Sequence, residues 1–233
     1  GIPFVGCHTL SSAVCMDKAV THSLLEAARI EQAHYLWFYA DLYRTRADVI
    51  KNKIAARLDF PVFVKPANAG SSVGISKVTS IDELDAAVEK AAKEDGKIVV
   101  EEGIVGAEVE CAVMGNEEPI ASTVGEIGAS AEFYDYDDKY KNGTSQLYIP
   151  ARLPEEKIEE IRAIAKRAYH MLGCRGLARV DFFVREKDGR VLLNEINTLP
   201  GFTAISMYPK LWEHEGVSGT ELLNRLIAYA LAV

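Results

Sequence analysis

Metal-type and disulfide-type spacings are missing from this sequence. Its four cysteines, Cys7, Cys15, Cys111 and Cys174, include no C-x-x-C pair. That excludes a zinc knuckle or a disulfide framework and leaves reduced, buried thiols of a cytoplasmic protein. The five histidines (His8, His22, His34, His170, His214) form no H-x-x-x-H pair, and neither residue type leads to a function. Basic residues are not in surplus: 26 Lys+Arg against 34 Asp+Glu give a net charge of −8. A nucleic-acid or membrane-surface footprint draws on excess Lys/Arg and is excluded. No apolar run approaches the roughly 18 residues needed to span a bilayer. Repeats, low-complexity tracts, a signal-peptide pattern and an initiator Met are also missing. What remains is 233 residues, 48% hydrophobic, enough for the core of one large or two small domains.

The chain reads as two α+β lobes. Asp17 is an N-cap type opening a helix through Leu24, Leu25 and Ala28. Pro61–Lys65 reads as a buried strand stopped by Pro66, followed by the small-residue turn 67–74 and a return strand through Val78. Ser80-Ile81-Asp82-Glu83 has the form of a capping box. Leu84, Ala87, Val88 and Ala91 mark one helical face, and Gly96 closes that helix. Lys97–Glu102 is a strand with Gly103 as the inter-lobe hinge. The second lobe opens with strands around 108–113 and 120–125. A stretch from 129 to 146 is long enough for a closing loop. Pro154-Glu155-Glu156 opens a helix with a stripe of Ile158, Ile161, Ala165, Ala168 and Leu172. Strands at 176–185 and 190–197 follow. The last helix, after Thr220, turns Leu222, Leu223, Leu226, Ile227 and Ala230 to a core. This order indicates α+β lobes rather than a doubly wound sheet.

Two features carry chemistry. In Lys65–Gly74, Gly70 and Gly74 let backbone amides approach an anion, Ser71 and Ser72 add hydroxyl donors, and Lys65 adds charge. The loop is neither a Walker A nor a G-x-G-x-x-G motif, and an ordinary Gly/Ser hairpin remains the alternative. The second feature is the hairpin around Asp188-Gly189. Strand alternation puts Arg179 and Asp181 on one face, and Glu195 and Asn197 on one face. A three-residue loop with Gly189 left-handed sets Asp181 opposite Glu195 and Arg179 opposite Asn197. A two-residue turn would split the carboxylates. Hard oxygen ligands so gathered suit Mg²⁺ bound with phosphates, against the alternative of a solvated face. Leu177, Phe183, Val191 and Leu193 on the same face argue for burial. A phosphate loop in one lobe and a carboxylate cluster in the other imply a nucleotide–metal site between them.

In order along the chain stand Met16-Asp17-Lys18, Val64-Lys65-Pro66, Gly70-Ser71-Ser72-Val73-Gly74 and Phe133-Tyr134-Asp135-Tyr136-Asp137-Asp138-Lys139-Tyr140. Arg179-Val180-Asp181 and Asn194-Glu195-Ile196-Asn197-Thr198-Leu199-Pro200-Gly201-Phe202-Thr203 follow. With these motifs the sequence resembles the D-alanine–D-alanine ligases of the ATP-grasp superfamily. The resemblance implies an ATP-grasp fold of two α+β lobes sandwiching a nucleotide. It divides the chain into an N-terminal remnant and linker (1–16), a central lobe (17–102) and a C-terminal lobe (103–233). It also implies ATP-dependent joining of two D-alanines through an acyl phosphate, for peptidoglycan.

By that resemblance Lys18 and Lys65 hold ATP phosphates together with Ser71 and Ser72. Glu101, Glu102 and Ile104 line the adenine pocket, and Glu108 binds ribose. Lys139 and Tyr140 belong to the closing loop, where Tyr140 links to Ser71 and favours an amine acceptor. Asp181, Glu195 and Asn197 match the ligands of Mg²⁺, with Mn²⁺ as a substitute. Arg179 and the Gly201 amide stabilise the oxyanion, and Ser206 and Met207 hold the second substrate's carboxylate. The alternatives are D-serine as acceptor, another ATP-grasp carboxylate–amine ligase, and a nucleotide-binding module without ligase activity. Family members carry a preceding domain that binds the first D-alanine, and Gly1–Gly6 resembles that domain's end. A homodimer is expected only through that domain. At Ala28-Arg29-Ile30-Glu31 the sequence departs from the family's Gly-Ile-Pro-like turn.

Overall fold

Asp17 separates two short helices. The computed structural model, which describes residues 1–128 and 146–232, places α1 at Thr9–Met16 and α2 at Lys18–Ala27. The Asp17 carboxylate accepts from the Val20 amide at 3.1 Å, the N-cap its residue type predicts. At the far end of α2, Arg29 takes a left-handed φ of 54°, while the Arg29 and Ile30 amides donate to the Glu26 and Leu25 carbonyls. This is a Schellman closure at a position that suits glycine.

The first sheet has the order β1-β4-β2-β3, with β1 Tyr35–Tyr39, β2 Val62–Pro66, β3 Ser76–Val78 and β4 Lys97–Glu102, all neighbours antiparallel. Helices α3 (Ala40–Arg57, interrupted at Arg46) and α4 (Leu84–Ala91) accompany it. Ile50, Ile54, Leu84, Val88, Val62, Val64, Ile98 and Val100 form one core. Alternation then turns Phe63, Lys65 and Glu101 to the opposite face. The expected strands and α4 are present, whereas β1 and α3 went unread. The capping box does not form. Ser80 makes no side-chain cap, and residues Ile81–Glu83 tighten into a 3₁₀ turn. Glu83 instead accepts from the Thr79 amide and hydroxyl at 2.8 and 2.9 Å. Gly96 lies beyond the helix, which ends at Ala91.

The second sheet, order β7-β6-β5-β8-β9, comprises β5 Gly106–Gly115, β6 Ile120–Ile127, β7 Leu147–Tyr148, β8 Gly176–Arg185 and β9 Val191–Asn197. Helix α5 (Glu155–Met171) covers one face, packing Ile158, Ile161, Ala165 and Ala168 against Val109, Cys111, Val113, Val180 and Phe182. The other face is split. Ala112, Met114 and Leu177 lie under α6 (Met207–His214) and α7 (Gly219–Leu231), while Glu110, Arg179 and Asp181 continue the same alternation away from those helices. On α7, Leu222 and Leu226 are buried, but Leu223 and Ile227 are half exposed, contrary to the expected stripe.

Helices α1 and α2 join both halves. Leu25, Ile30 and Cys7 belong to the core under α5, whereas Ala19 packs with Val99 of the first sheet and with Ala67, just past the end of β2. Cys7, Cys111 and Cys174 are buried free thiols, and Cys15 is half-buried. Among the described residues no helix is long and apolar enough to cross a membrane.

Candidate functional site

Phe63, Lys65 and Glu101 face a cavity of about 380 Å³. Lys18, Gly70, Ser71, Ser72, Glu102 and Ile104 also line it, and Glu108, Phe183, Asn194 and Glu195 of the second sheet complete it. A larger cleft, about 700 Å³, runs along Glu26–Trp37 and reaches Arg57 and Leu58. Among the described residues it contains none of the expected site residues, so the smaller cavity is the one with convergent chemistry.

The Lys65 ammonium donates to Glu101 Oε2 at 2.7 Å, and Glu101 Oε1 lies 3.1 Å from His22 Nε2. Burial would raise the Glu101 carboxyl, but Lys65 and His22 outweigh it and hold the group well below the usual carboxylate range. Lys18, the first residue of α2, donates to the Ala69 carbonyl at 2.7 Å and so fixes the Gly/Ser loop. Burial lowers the Lys18 pKa, partly offset by Glu195 from the opposite sheet. In the loop itself the left-handed residues are Ser71 (φ 52°), Ser72 (61°) and Gly74 (73°), not Gly70. Two consecutive serines there carry strain of about 1–2 kcal/mol each. Gly74 has a second reason to lack a side chain, since a Cβ would lie 2.9 Å from Glu94 and 3.2 Å from Pro66. Glu102 is partly committed to structure, accepting from the His34 amide at 2.9 Å.

On the second sheet, Asp181 stands opposite Glu195 and Arg179 opposite Asn197, the expected pairing. The route to it differs. Near the turn, Val184 pairs with Val191 and Phe182 with Leu193, one residue out of step, and Arg185 N–H donates to Arg190 O across a four-residue loop. A bulge at Asn194 restores the step before the carboxylates. Gly189 is left-handed as expected. The bulge also moves Val191 and Leu193 onto the α5 face with Phe182, correcting their expected placement beside Asp181.

Arg179 donates to both Asp181 oxygens at 2.7 Å, and its Nε lies 3.0 Å from buried Glu110. Burial disfavours the guanidinium charge, yet Asp181 and Glu110 raise its pKa overall. The Asn197 amide bridges Asp181 and Glu195, donating at 3.0 and 3.2 Å. Two carboxylates and an amide oxygen, neutralised here by an arginine and an N–H, are a donor set that fits a hard divalent cation. Turning the amide would present its oxygen.

Gly201 packs against Ser206, whose Oγ a Cβ at position 201 would meet at 2.7 Å. Ser206 Oγ accepts from the Thr203 amide at 3.0 Å at the start of α6. The Met207 side chain is buried against Gly125, so only its backbone can serve a ligand. Lys139, Tyr140 and the motif 133–140 lie outside the described residues, as does most of the expected closing loop. Sequence reasoning missed His22, Glu110 and Arg152. Arg152 lines the cavity, pairs with Glu126 at 2.5 Å and lies 3.7 Å over the Tyr148 ring. A polar residue at an inward strand position could have found Glu110; nothing local marks the other two.

Two antiparallel sheets that close a cation-lined wall and a carboxylate wall around one cavity define an ATP-grasp fold. Residues 24–228 match the family described as D-ala D-ala ligase C-terminus, and the chain belongs to it. D-alanine–D-alanine ligases of Acetivibrio thermocellus and Caldicellulosiruptor bescii are 53% and 49% identical over 99% of the chain. The chain spans 61% and 64% of their lengths. Among solved structures, the VanG D-Ala:D-Ser ligase from Enterococcus faecalis superposes with a TM-score of 0.88 at 43% identity, covering 99% of this chain and 66% of that one. The D-alanine–D-alanine ligase from Coxiella burnetii gives 0.86 at 37% identity, covering 99% and 61%.

Proposed function

We propose that this chain supplies the nucleotide- and metal-binding lobes of a D-alanine–D-alanine ligase. The observation that carries the reading is the shared cavity, with Lys18, Lys65, Ser71 and Ser72 on one wall and Glu195 on the other, beside Asp181, Asn197 and Arg179. One D-alanine carboxylate attacks the γ-phosphorus of ATP, giving an acyl phosphate and ADP. The amine of a second D-alanine adds to the acyl carbon, and the tetrahedral intermediate expels phosphate to leave the dipeptide used in peptidoglycan. Both partners of the first step are anionic, so the site's task is neutralisation and alignment.

Lys18 and Lys65 bind phosphate oxygens, with the Ser71–Ser72 turn offering hydroxyls and amides. Ile104 and the strand end at Glu101–Glu102 border the adenine, and Glu108 accepts from the ribose. Asp181, Glu195 and Asn197 hold Mg²⁺ or Mn²⁺, which when bound withdraws charge from the phosphates. Asp181 engages Nε and Nη2 of Arg179, leaving the Nη1 end and the Gly201 amide for the oxyanion. Ser206 and the Met207 amide receive the second carboxylate. Lys139 and Tyr140, outside the described residues, are assigned to the phosphate end of the site by the motif 133–140 alone. The lobe boundary falls at Gly103.

Calorimetry of the 233-residue chain with ATP and Mg²⁺ should show metal-dependent binding, and Glu195→Gln should weaken the metal dependence by at least tenfold. Metal dependence unchanged in that variant would remove the ligand assignment; no nucleotide binding would sink the reading. The likeness to the D-Ala:D-Ser ligase supports D-serine as a second acceptor. Chromatography of products from mixed D-alanine and D-serine, using a protein of the relatives' full length, separates the two.

A further inference from the structure

His22 lies outside the expected ligand set and is 3% exposed, inside the molecule. Its ring stacks on Tyr35, centroids 4.4 Å apart and planes at 18°. Both ring nitrogens are engaged: Nδ1 lies 2.6 Å from Gln32 Oε1, and Nε2 lies 3.1 Å from Glu101 Oε1. The Gln32 orientation is set independently, because its Nε2 donates to the His22 carbonyl at 2.8 Å. A carbonyl can only accept, so the amide oxygen must be the end that meets the ring, and Nδ1 must carry hydrogen. Glu101, ionised between its two partners, only accepts, so Nε2 must carry hydrogen too. The imidazole is a donor at both ends.

We propose that His22 is the positioning residue for Lys65, acting through Glu101. The carboxylate is shared, with one oxygen on the imidazolium and the other on the ammonium at 2.7 Å. Without His22, Glu101 and Lys65 would form a neutral pair, with the carboxylate drawn toward the ammonium. With it, the group of three, buried at His22 and Glu101 and half-buried at Lys65, carries one net positive charge, directed into the cavity by Lys65. An ammonium has three donors; Glu101 takes one and fixes the direction of the others. Gln32 holds the ring, and the Tyr35 stack sets its plane. The inference rests on the ATP reading above, since it assigns Lys65 a phosphate to meet.

The test is a double-mutant cycle on ATP·Mg²⁺ dissociation constants by calorimetry, with the 233-residue chain. His22→Phe keeps a flat ring for Tyr35 and removes both donors; it should weaken binding about tenfold, the scale of one charge-assisted hydrogen bond. In a Lys65→Ala background the same change should alter binding less than about twofold, because the residue being positioned is gone. His22→Arg, which restores donors, should recover most of the loss. If His22→Phe does not fold, Gln32→Ala tests the same chain from its far end, with a weakening of about threefold that again vanishes without Lys65. Wild-type protein that fails to bind ATP·Mg²⁺ counts against the proposed function. Wild-type binding together with an unchanged His22→Phe affinity, or with equal losses in both backgrounds, overturns the role of His22 alone.

Discussion

Glu101 shows how one side chain can serve structure and site together. Its folded-state pKa is depressed, so its contribution is present above the unfolded value of about 4.3 and is lost as pH falls toward the lower folded value. Glu101→Gln should therefore cost about 3 kcal/mol at pH 7, leaving buried His22 and half-buried Lys65 without their anion. That cost should shrink steadily below about pH 4. Urea unfolding of both proteins between pH 3 and 7 measures the gap, and a gap that stays constant with pH would contradict the assignment. The gathering of Asp181, Glu195 and Asn197 on one sheet face was legible because strand alternation is written locally, and Lys18 and Lys65, which line the cavity, stood out by motif order. His22 was not, because its meaning comes from Glu101, 79 residues away in sequence, through a helix-to-strand contact that no local pattern records. Glu110 was marked only by its inward strand position, since its partner Arg179 lies on another strand.

At the scale of elements, local signals succeeded where one face is apolar and failed where the third dimension adds a partner or a break. The Asp17 cap, the α5 stripe and β4 were all readable. The β8–β9 pairing was predicted correctly at the carboxylates from a turn that does not exist, because the bulge at Asn194 compensates for a longer loop. The Leu223–Ile227 side of α7 was read as core because leucine patterning does not say how wide the covering sheet is. Leu222→Ala should cost about 2–4 kcal/mol, while Leu223→Ala should stay under about 1 kcal/mol; thermal melts of the two variants check the contrast. At the end of α2, Arg29→Gly should stabilise by about 0.5–1 kcal/mol, since glycine accepts the left-handed φ without penalty. A melting temperature lowered by that change would refute the closure described for α2.

At the scale of the molecule, the site is formed by two sheets, so a nucleotide bound between them stabilises both. At a hundredfold excess over its dissociation constant, ATP·Mg²⁺ should add about 2.7 kcal/mol. For a chain of this size that corresponds to a rise of about 5–10 °C in melting temperature. Scanning calorimetry with ATP alone should show much less. Equal shifts with and without metal would mean that the carboxylate wall is not engaged.

The path of α2 has a consequence for how the protein can be divided. By its sheets the molecule has two halves, the first sheet's last strand ending at Glu102 and the second sheet's first beginning at Gly106, yet Leu25, Ile30 and Cys7 fill the core under α5, on the far side of that break. A cut at Gly103 therefore leaves the second piece without part of its interior and the first with an orphaned apolar helix face. The two pieces made separately are a complementation pair rather than two modules: each should aggregate or remain loose alone, and nucleotide binding should return on mixing.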